Sequence, residues 1–246
     1  MEMKSLNIIG DMHTHTIAST HAYSTITENC RCAAEKGIKI VAMTDHYGDM
    51  PDSPHLWHFV NMKILPRTIC GVTVLKGVEA NIINDEGELD MPRQTLDSLE
   101  WVVASMHRQV YKPTTQGNHT RAYLNVAKDP KVDVIGHCTT DFFPIDFEKC
   151  IKAFKEYDKL VEINESSILY KKGSRKNTYE VLRLCRKYEV PVVLDSDGHF
   201  CELIGVVPNA LEIVSEVGFP QELVVNADLD RLKEYICRHH PESGIL

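Results

Sequence analysis

Long hydrophobic runs are missing from this chain. Its longest apolar segments, such as 38–43 and 190–194, fall far short of the roughly 20 residues that cross a bilayer. The opening Met-Glu-Met-Lys-Ser lacks the apolar stretch of a signal peptide, so a cytoplasmic protein with no membrane partner is expected. An excess of positive charge is also missing. The 27 Lys and Arg face 35 Asp and Glu, a formal net charge of −8, which argues against broad attraction to nucleic acid or anionic lipid. No Ser/Gly-rich linker or repeat divides the 246 residues, and a single domain over 1–246 is expected. The eight cysteines read as reduced thiols. Cys30 and Cys32 form a C-x-C without a second pair, a poor basis for a structural zinc knuckle.

What is present is an ordinary globular composition, 43% hydrophobic and 25% charged, enough for a sizeable core. Short apolar or β-branched runs mark strands near Leu6–Asp11, Ile38–Thr44, Thr73–Asn81, Trp101–Ser105, Val132–Gly136, Leu160–Asn164 and Pro191–Asp195. Amphipathic segments between them predict helices over Thr27–Lys36, Thr120–Ala127, Phe147–Tyr157, Asn177–Tyr188, Leu211–Val217 and Asp228–Arg238. Thr25 and Glu28 stand at capping-box spacing before the first. The run Pro51–Pro66 reads as a long connection. Alternation of this kind means an α/β fold with a parallel sheet under helices, either open or closed. Polar clusters at the ends of nearly all the strands favour the barrel, because a doubly wound sheet gathers its site at one switch point.

Those clusters are rich in metal-ligand side chains. Asp11-Met12-His13-Thr14-His15 comes first, with His21 shortly after. On an extended strand, residues two apart lie about 7 Å from each other on one side, so both imidazoles can reach one ion. Asp45-His46, Gly77-Val78-Glu79, His107, His137 and Asp197-Gly198-His199 follow at later strand ends. Seven of the twelve histidines fall in these clusters. Imidazole with carboxylate suits zinc, manganese or iron. Nine candidate ligands exceed the needs of one ion, and Glu79 has two oxygens with which to bridge. Asp11 and Asp45, beside ligating positions, are expected to hold imidazole N–H groups.

This series resembles the PHP (polymerase and histidinol phosphatase) superfamily, above all its small stand-alone phosphatases of the YcdX type. The resemblance runs along nearly the whole chain and includes the stretches Ala18–Thr25, His55–Met62 and Glu162–Ser167. It implies a distorted (β/α)7 barrel with three divalent metal ions at the C-terminal mouth, most often zinc, with manganese or iron as substitutes. Carried over residue by residue, one ion takes His13, His15, Glu79 and Asp197. A second takes Glu79, His107 and His137, and the third His21, His46 and His199. The runs Ala104–Met106 and Gly198–Phe200 depart from the commoner pattern without removing a ligand.

The chemistry expected of such a site is attack of a metal-bound hydroxide on phosphorus, with the ions neutralising phosphoryl charge. The Cys-x5-Arg and Asp-x-Asp-x-Thr/Val motifs, a Walker A loop and a Gly-x-Ser-x-Gly elbow are all missing, which leaves no other mechanism encoded. The expected substrate is a small phosphorylated molecule. His55, Trp57 and His58 are candidates for a substrate wall, with His58 and Arg108 also able to meet the phosphoryl group. Rival readings are a nuclease or histidinol-phosphate phosphatase of the same superfamily, a two-metal amidohydrolase, and an accessory module with closed ions. Nucleic acid is not an expected partner, and the reading leaves room for a homo-oligomer.

Overall fold

The structure is a computed structural model that describes residues 6–245; residues 1–5, whose polar sequence was noted above, and Leu246 lie outside it. Seven strands stand side by side, every neighbouring pair parallel: β1 (Gly10–Thr14), β2 (Ile40–Met43), β4 (Val72–Asn81), β5 (Trp101–Ser105), β6 (Val134–Ile135), β7 (Leu160–Asn164) and β8 (Val192–Asp195). A short β3 (Thr68–Ile69) pairs antiparallel with the start of β4. Around them lie α1 (Ile26–Glu35), α2 (Trp57–Val60), α3 (Arg93–Asp97), α4 (Gln116–Val126), α5 (Phe147–Glu156), α6 (Glu165–Tyr170), α7 (Ser174–Tyr188), α8 (Pro208–Val217) and α9 (Leu229–His239). This is the α/β barrel that the strand-end clusters favour. Among the described residues no helix is long and apolar enough to cross a membrane.

Two apolar clusters explain why the sheet curls. Met12, Ile40, Ala42, Leu75, Trp101, Val103, Val134, Leu160 and Val193 fill the lumen, with Leu232, Tyr235 and Ile236 of α9 packed beneath them. The other faces of the strands meet the helices in a larger outer core. Side chains two apart share a face of a strand. Continuing the inward-facing series toward the C-terminal ends therefore leads from Leu75 to Glu79 and Asn81, and from Leu160 to Glu162 and Asn164. The lumen is apolar below and polar above because each strand changes composition along one face.

The barrel does not close on a continuous ladder. Among the described residues a single bridge joins β1 to the segment after β8, Thr14 to Gly198, and the His15 N–H donates to the Gly198 carbonyl at 3.0 Å. Side chains complete the seam. The Asn226 amide donates to the carbonyls of Gly10 at 2.8 Å and Leu194 at 2.7 Å and accepts from the Leu194 N–H at 3.0 Å, while the Met12 N–H donates to Asp195 Oδ1 at 2.9 Å. Buried main-chain groups need such partners, and here side chains supply what a neighbouring strand would have supplied.

β1 begins at Gly10, later than the expected Leu6–Asp11. Ile8 is buried in the outer core, but pairing with β2 starts only at Gly10 opposite Ile40. Apolar residues mark burial, whereas the ladder depends on where the partner strand lies. The first turn of α1 matches expectation: Thr25 Oγ1 accepts from the Glu28 N–H, and the Glu28 carboxylate accepts from the Thr25 N–H. The Pro51–Pro66 connection contains α2 and a 3-10 turn at Asn61–Ile64. The short helices α3 and α6 have no counterpart in the hydrophobic pattern, because one or two turns show too little periodicity.

Candidate metal centre

The register of β1 slips by one residue: Asp11 stands opposite Val41, but Thr14 opposite Met43. An extra residue re-aims the side chains on a strand. Met12 thus joins the lumen core while His13 also reaches inward, to Glu162 and Glu79. Gly136, just before His137, lets β6 approach β5; a methyl group there would lie 2.1 Å from Ser105 Oγ. His137 (φ 24°) and Asp197 (φ 53°) hold backbone conformations that L-residues seldom adopt. Such strain costs roughly 1–3 kcal/mol per residue and gathers at functional sites.

Glu79 is the hub. Its Oε2 lies 2.8 Å from His46 Nδ1, 3.3 Å from His13 Nε2 and 3.6 Å from His15 Nε2. Its Oε1 lies 2.9 Å from His137 Nε2 and 3.2 Å from His107 Nε2. Asp197 Oδ1 closes the other side, 3.1 Å from His15 Nε2 and 3.7 Å from His13 Nε2. The rings of His21 and His199 stand 4.2 Å apart, with His46 at 5.4 Å from His21 and 5.9 Å from His199. All nine sequence-predicted ligand residues thus meet at the C-terminal mouth of the barrel.

The donors fit a group of metal ions. His13 Nε2, His15 Nε2, His46 Nδ1, His199 Nε2 and Glu79 Oε2 are buried with no hydrogen-bond partner, a state that costs energy unless something else satisfies them. Two ligand atoms at about 2.1 Å from one tetrahedral ion lie about 3.4 Å from each other, and the distances above cluster near that value. Four ligand groups at the mouth gather within 4.8 Å: His13, His15 and Asp197; His46, Glu79 and His107; His15, His46 and His199; and His21, His46 and Asp52.

Outer partners fix which nitrogen each ring presents. His13 Nδ1 donates to Glu162 Oε1 at 2.6 Å, His21 Nδ1 to Asp52 Oδ2 at 2.6 Å, and His199 Nδ1 to the Asp197 carbonyl at 3.0 Å. His107 Nδ1 donates to Asn81 Oδ1 at 2.7 Å. The Asn81 amide itself is oriented by giving its N–H groups to the Tyr47 carbonyl and Asp90 Oδ2. Each Nε2 is thereby left bearing a lone pair toward the cluster. Glu162, Asn81 and Asp52 are the residues that sequence reasoning missed in this role. Inward alternation after Leu160 and Leu75 points to the first two; Asp52 comes from a connection with no such signal.

Electrostatics set the ligands apart. Burial pushes the Glu79 carboxyl up, but His107, His13 and His46 outweigh it and hold it well below the usual carboxylate range. Burial pushes His13 down, yet Glu162 and Glu79 keep it well above an ordinary histidine. Burial drives His15 well down, helped by His199 and His46, and burial lowers His107 to about 4.

The remaining residues lie elsewhere than expected. Asp11 does not hold an imidazole: its carboxylate accepts from the Ser196 N–H, the Ser196 hydroxyl and the Gly205 N–H, clasping the barrel seam. Asp45 accepts from Thr16 and Ser19 and faces His58 Nε2 at 3.1 Å, so its imidazole partner is His58 and no ligand ring. The cavity over the cluster, about 360 Å³, is lined by Met50, Pro51, Asp52, Gln109, Ser166 and Lys171 beside the ligands. Trp57 and His58 instead line a separate apolar groove with Ile17, Met62 and Ile64. His55 accepts the Trp57 N–H at its own Nδ1. The wall expected of this connection is therefore built from its first turn, 50–52, since α2 turns the later residues outward. Arg108 lies in the adjoining cavity with Lys171, its guanidinium 4.4 Å over the Phe142 ring.

Known proteins share this frame. A probable phosphatase of Thermoanaerobacter sp. (strain X514) is 43% identical over 241 residues, which cover 97% of this chain and 98% of the relative. One from Acetivibrio thermocellus is 43% identical over 233 residues, 95% of this chain and 97% of its own. Among solved structures, the histidinol phosphate phosphatase of Lactococcus lactis, complexed with zinc, L-histidinol and phosphate, superposes with a TM-score of 0.60. It has 14% identity and covers 86% of this chain and 94% of its own, a likeness of fold. The family model described as PHP domain matches residues 11–166, a span holding seven of the nine converging side chains, with Asp197 and His199 on the strand end that completes the ring. This chain belongs to the PHP domain family.

Proposed function

We propose that the chain is a phosphatase that hydrolyses small phosphomonoesters at a site for three divalent ions, zinc foremost. The observation that carries this reading is the convergence on Glu79 of five imidazoles at 2.8–3.6 Å, three of which, His13, His15 and His46, aim buried nitrogens into the cluster with no hydrogen-bond partner. Divalent ions supply two things there: a water made acidic enough to attack at neutral pH, and positive charge against the phosphoryl oxygens. His13, His15, Glu79 and Asp197 would hold one ion, Glu79 with His107 and His137 a second, and His21, His46 and His199 the third. The names of the full-length relatives and the zinc and phosphate of the Lactococcus lactis structure support this choice.

The protein's own part is to fix geometry. Glu162, Asn81, Asp52 and the Asp197 carbonyl keep each imidazole proton on the side away from the cluster. Lys171, which lines both the cluster cavity and the cavity of Arg108, is placed to receive substrate anionic oxygens as they enter. Ser166 and Gln109 in the same wall offer neutral donors. His58 is held by Asp45 outside this cavity, and it supports the loop that carries Thr16 and Ser19.

The test is phosphate release by the metal-replete protein across a panel of phosphomonoesters, with histidinol phosphate, a phosphodiester and single-stranded DNA included. Metal-dependent turnover of monoesters, abolished by a chelator and by His199→Ala, is the expected result. Cleavage of the diester or DNA alone overturns it in favour of a nuclease, and inactivity at full metal loading overturns it in favour of an accessory module.

A further inference from the structure

The C-x-C of α1 does not act as a pair. Cys30 is fully buried in the outer core, whereas Cys32 faces the 3-10 turn at Cys201–Leu203 that packs on α1. There Cys32 Sγ, Cys201 Sγ and a carboxylate oxygen of Glu202 lie within 4.8 Å of one another, with Cys32 Sγ 3.9 Å from Glu202 Oε1. The cluster is on the outside of the barrel and shares no residue with the histidine site.

We infer that Cys32, Cys201 and Glu202 form a second cation site, for a soft divalent ion of the zinc class. Two thiolates at about 2.3 Å and a carboxylate oxygen at about 2.1 Å from a tetrahedral ion lie about 3.5–3.8 Å apart. The observed spacing, 3.9 Å from Cys32 Sγ to Glu202 Oε1 and all three atoms within 4.8 Å, needs only a slight contraction to reach this. Thiolate ligands select such ions over magnesium or calcium. The fourth position faces solvent, since Glu202 is exposed and Cys201 only partly buried.

Charge balance supports the assignment. On binding, both thiols release their protons to solvent, so three anionic ligands surround a dication and leave one negative charge. Lys36, one turn after Cys32, places its ammonium on the same turn, donating to the carbonyls of Glu202 at 2.9 Å and Cys201 at 3.4 Å. It fixes the turn in a position to bind and lies beside the surplus charge. The turn is also tied to the loop before α1: the Cys201 N–H donates to Ser24 Oγ and the Tyr23 N–H to the His199 carbonyl. An ion here would fasten α1 to the segment that carries His199.

Cobalt distinguishes this site from the histidine cluster, because only sulfur ligands give an intense near-ultraviolet thiolate-to-cobalt band. The full chain, kept reduced with a phosphine and its free thiols counted, is titrated with Co²⁺. The wild-type protein is expected to show the band, Cys201→Ser and Cys32→Ser to lose it, and Cys30→Ser and His199→Ala to keep it. Glu202→Gln is expected to weaken cobalt binding at this site by tenfold or more. With zinc, elemental analysis should find one ion fewer in Cys201→Ser than in the wild type. No band at excess Co²⁺ with all thiols free overturns the assignment, as does a band that survives both serine variants. A Cys32–Cys201 pair found as a disulfide that the phosphine does not open also overturns it. Cys201→Ser, on a partly exposed turn, keeps the test decisive should Cys32→Ser fail to fold.

Discussion

The two ends of the barrel bury the same side-chain types and use them in opposite ways. At the bottom, His240 Nε2 donates to Asp133 Oδ1 at 2.8 Å and Asp133 Oδ2 accepts the Val102 N–H at 2.8 Å. The Lys159 ammonium is nearly as deep, and it donates to the carbonyls of Val132 at 2.6 Å and Asp129 at 2.7 Å. Even on the mouth side, outside the cluster, His119 donates from Nδ1 to the Pro144 carbonyl and accepts the Thr114 N–H at Nε2. In each case a donor meets an acceptor, and the one imidazole atom of these left over, His240 Nδ1, stands alone, with Glu242 Oε1 3.6 Å away. At the mouth five imidazole nitrogens crowd one carboxylate, and those of His13, His15 and His46 find no hydrogen-bond partner. Burial of a histidine therefore says nothing about ligation, and neither does one unpartnered nitrogen; several of them converging on one carboxylate do.

Substitutions at the two ends should separate along that line. Glu79→Gln removes the negative bridge. Metal content is expected to drop and phosphate release to fall by more than the roughly 10–100-fold typical of an outer partner, while circular dichroism shows the barrel intact. A variant that keeps its full metal content would place the hub elsewhere. At the bottom, His240→Leu leaves Asp133 buried without its partner. Breaking a buried pair in this way costs about 3–5 kcal/mol, readable as a lower urea midpoint, with the turnover of the folded fraction unchanged.

Asn81→Ala deprives His107 of the acceptor that fixes its tautomer. Metal affinity is expected to weaken by roughly 10–100-fold with little loss of stability, and equal losses of both would make Asn81 a packing residue. The smallest effect is a pH slope. Asp90, which accepts from the Asn81 amide, is raised by burial from 3.8 to about 6. Between those values the folded chain holds a proton that the unfolded chain releases, so this group's contribution favours the fold most below 3.8 and declines as pH rises to about 6. Unfolding of Asp90→Asn should lack that segment of the pH profile; an unaltered profile would assign the slope to another group.

Much of this was written locally. Apolar runs gave the order of seven strands, and the ligand-type residues near the C-terminal ends of those strands gave the mouth, because residue type and period act over a few positions. The unread part depends on distance along the chain. Glu162 finds His13 across 149 positions and Cys32 finds Glu202 across 170, and no spacing rule spans such gaps. Asp11 looked like a partner for its neighbouring histidines, but the one-residue slip in β1 and the seam at Ser196 give its carboxylate other donors. Trp57 and His58 looked like a wall because composition identifies a surface without its direction.

The side-chain seam between β1 and β8 also orders events in time. His13 lies in the first strand and His15 directly after it, Asp197 and His199 follow the last, and Asn226 joins Gly10 to Leu194 across 216 and 32 positions. Closing so long a loop is slow in entropy terms, since distant contacts repay their cost only when both ends are present. During synthesis the first strand must wait for nearly the entire chain before its histidines gain their neighbours. Assembly of the cluster is then a late event, and the finished mouth serves as a record that the barrel has closed.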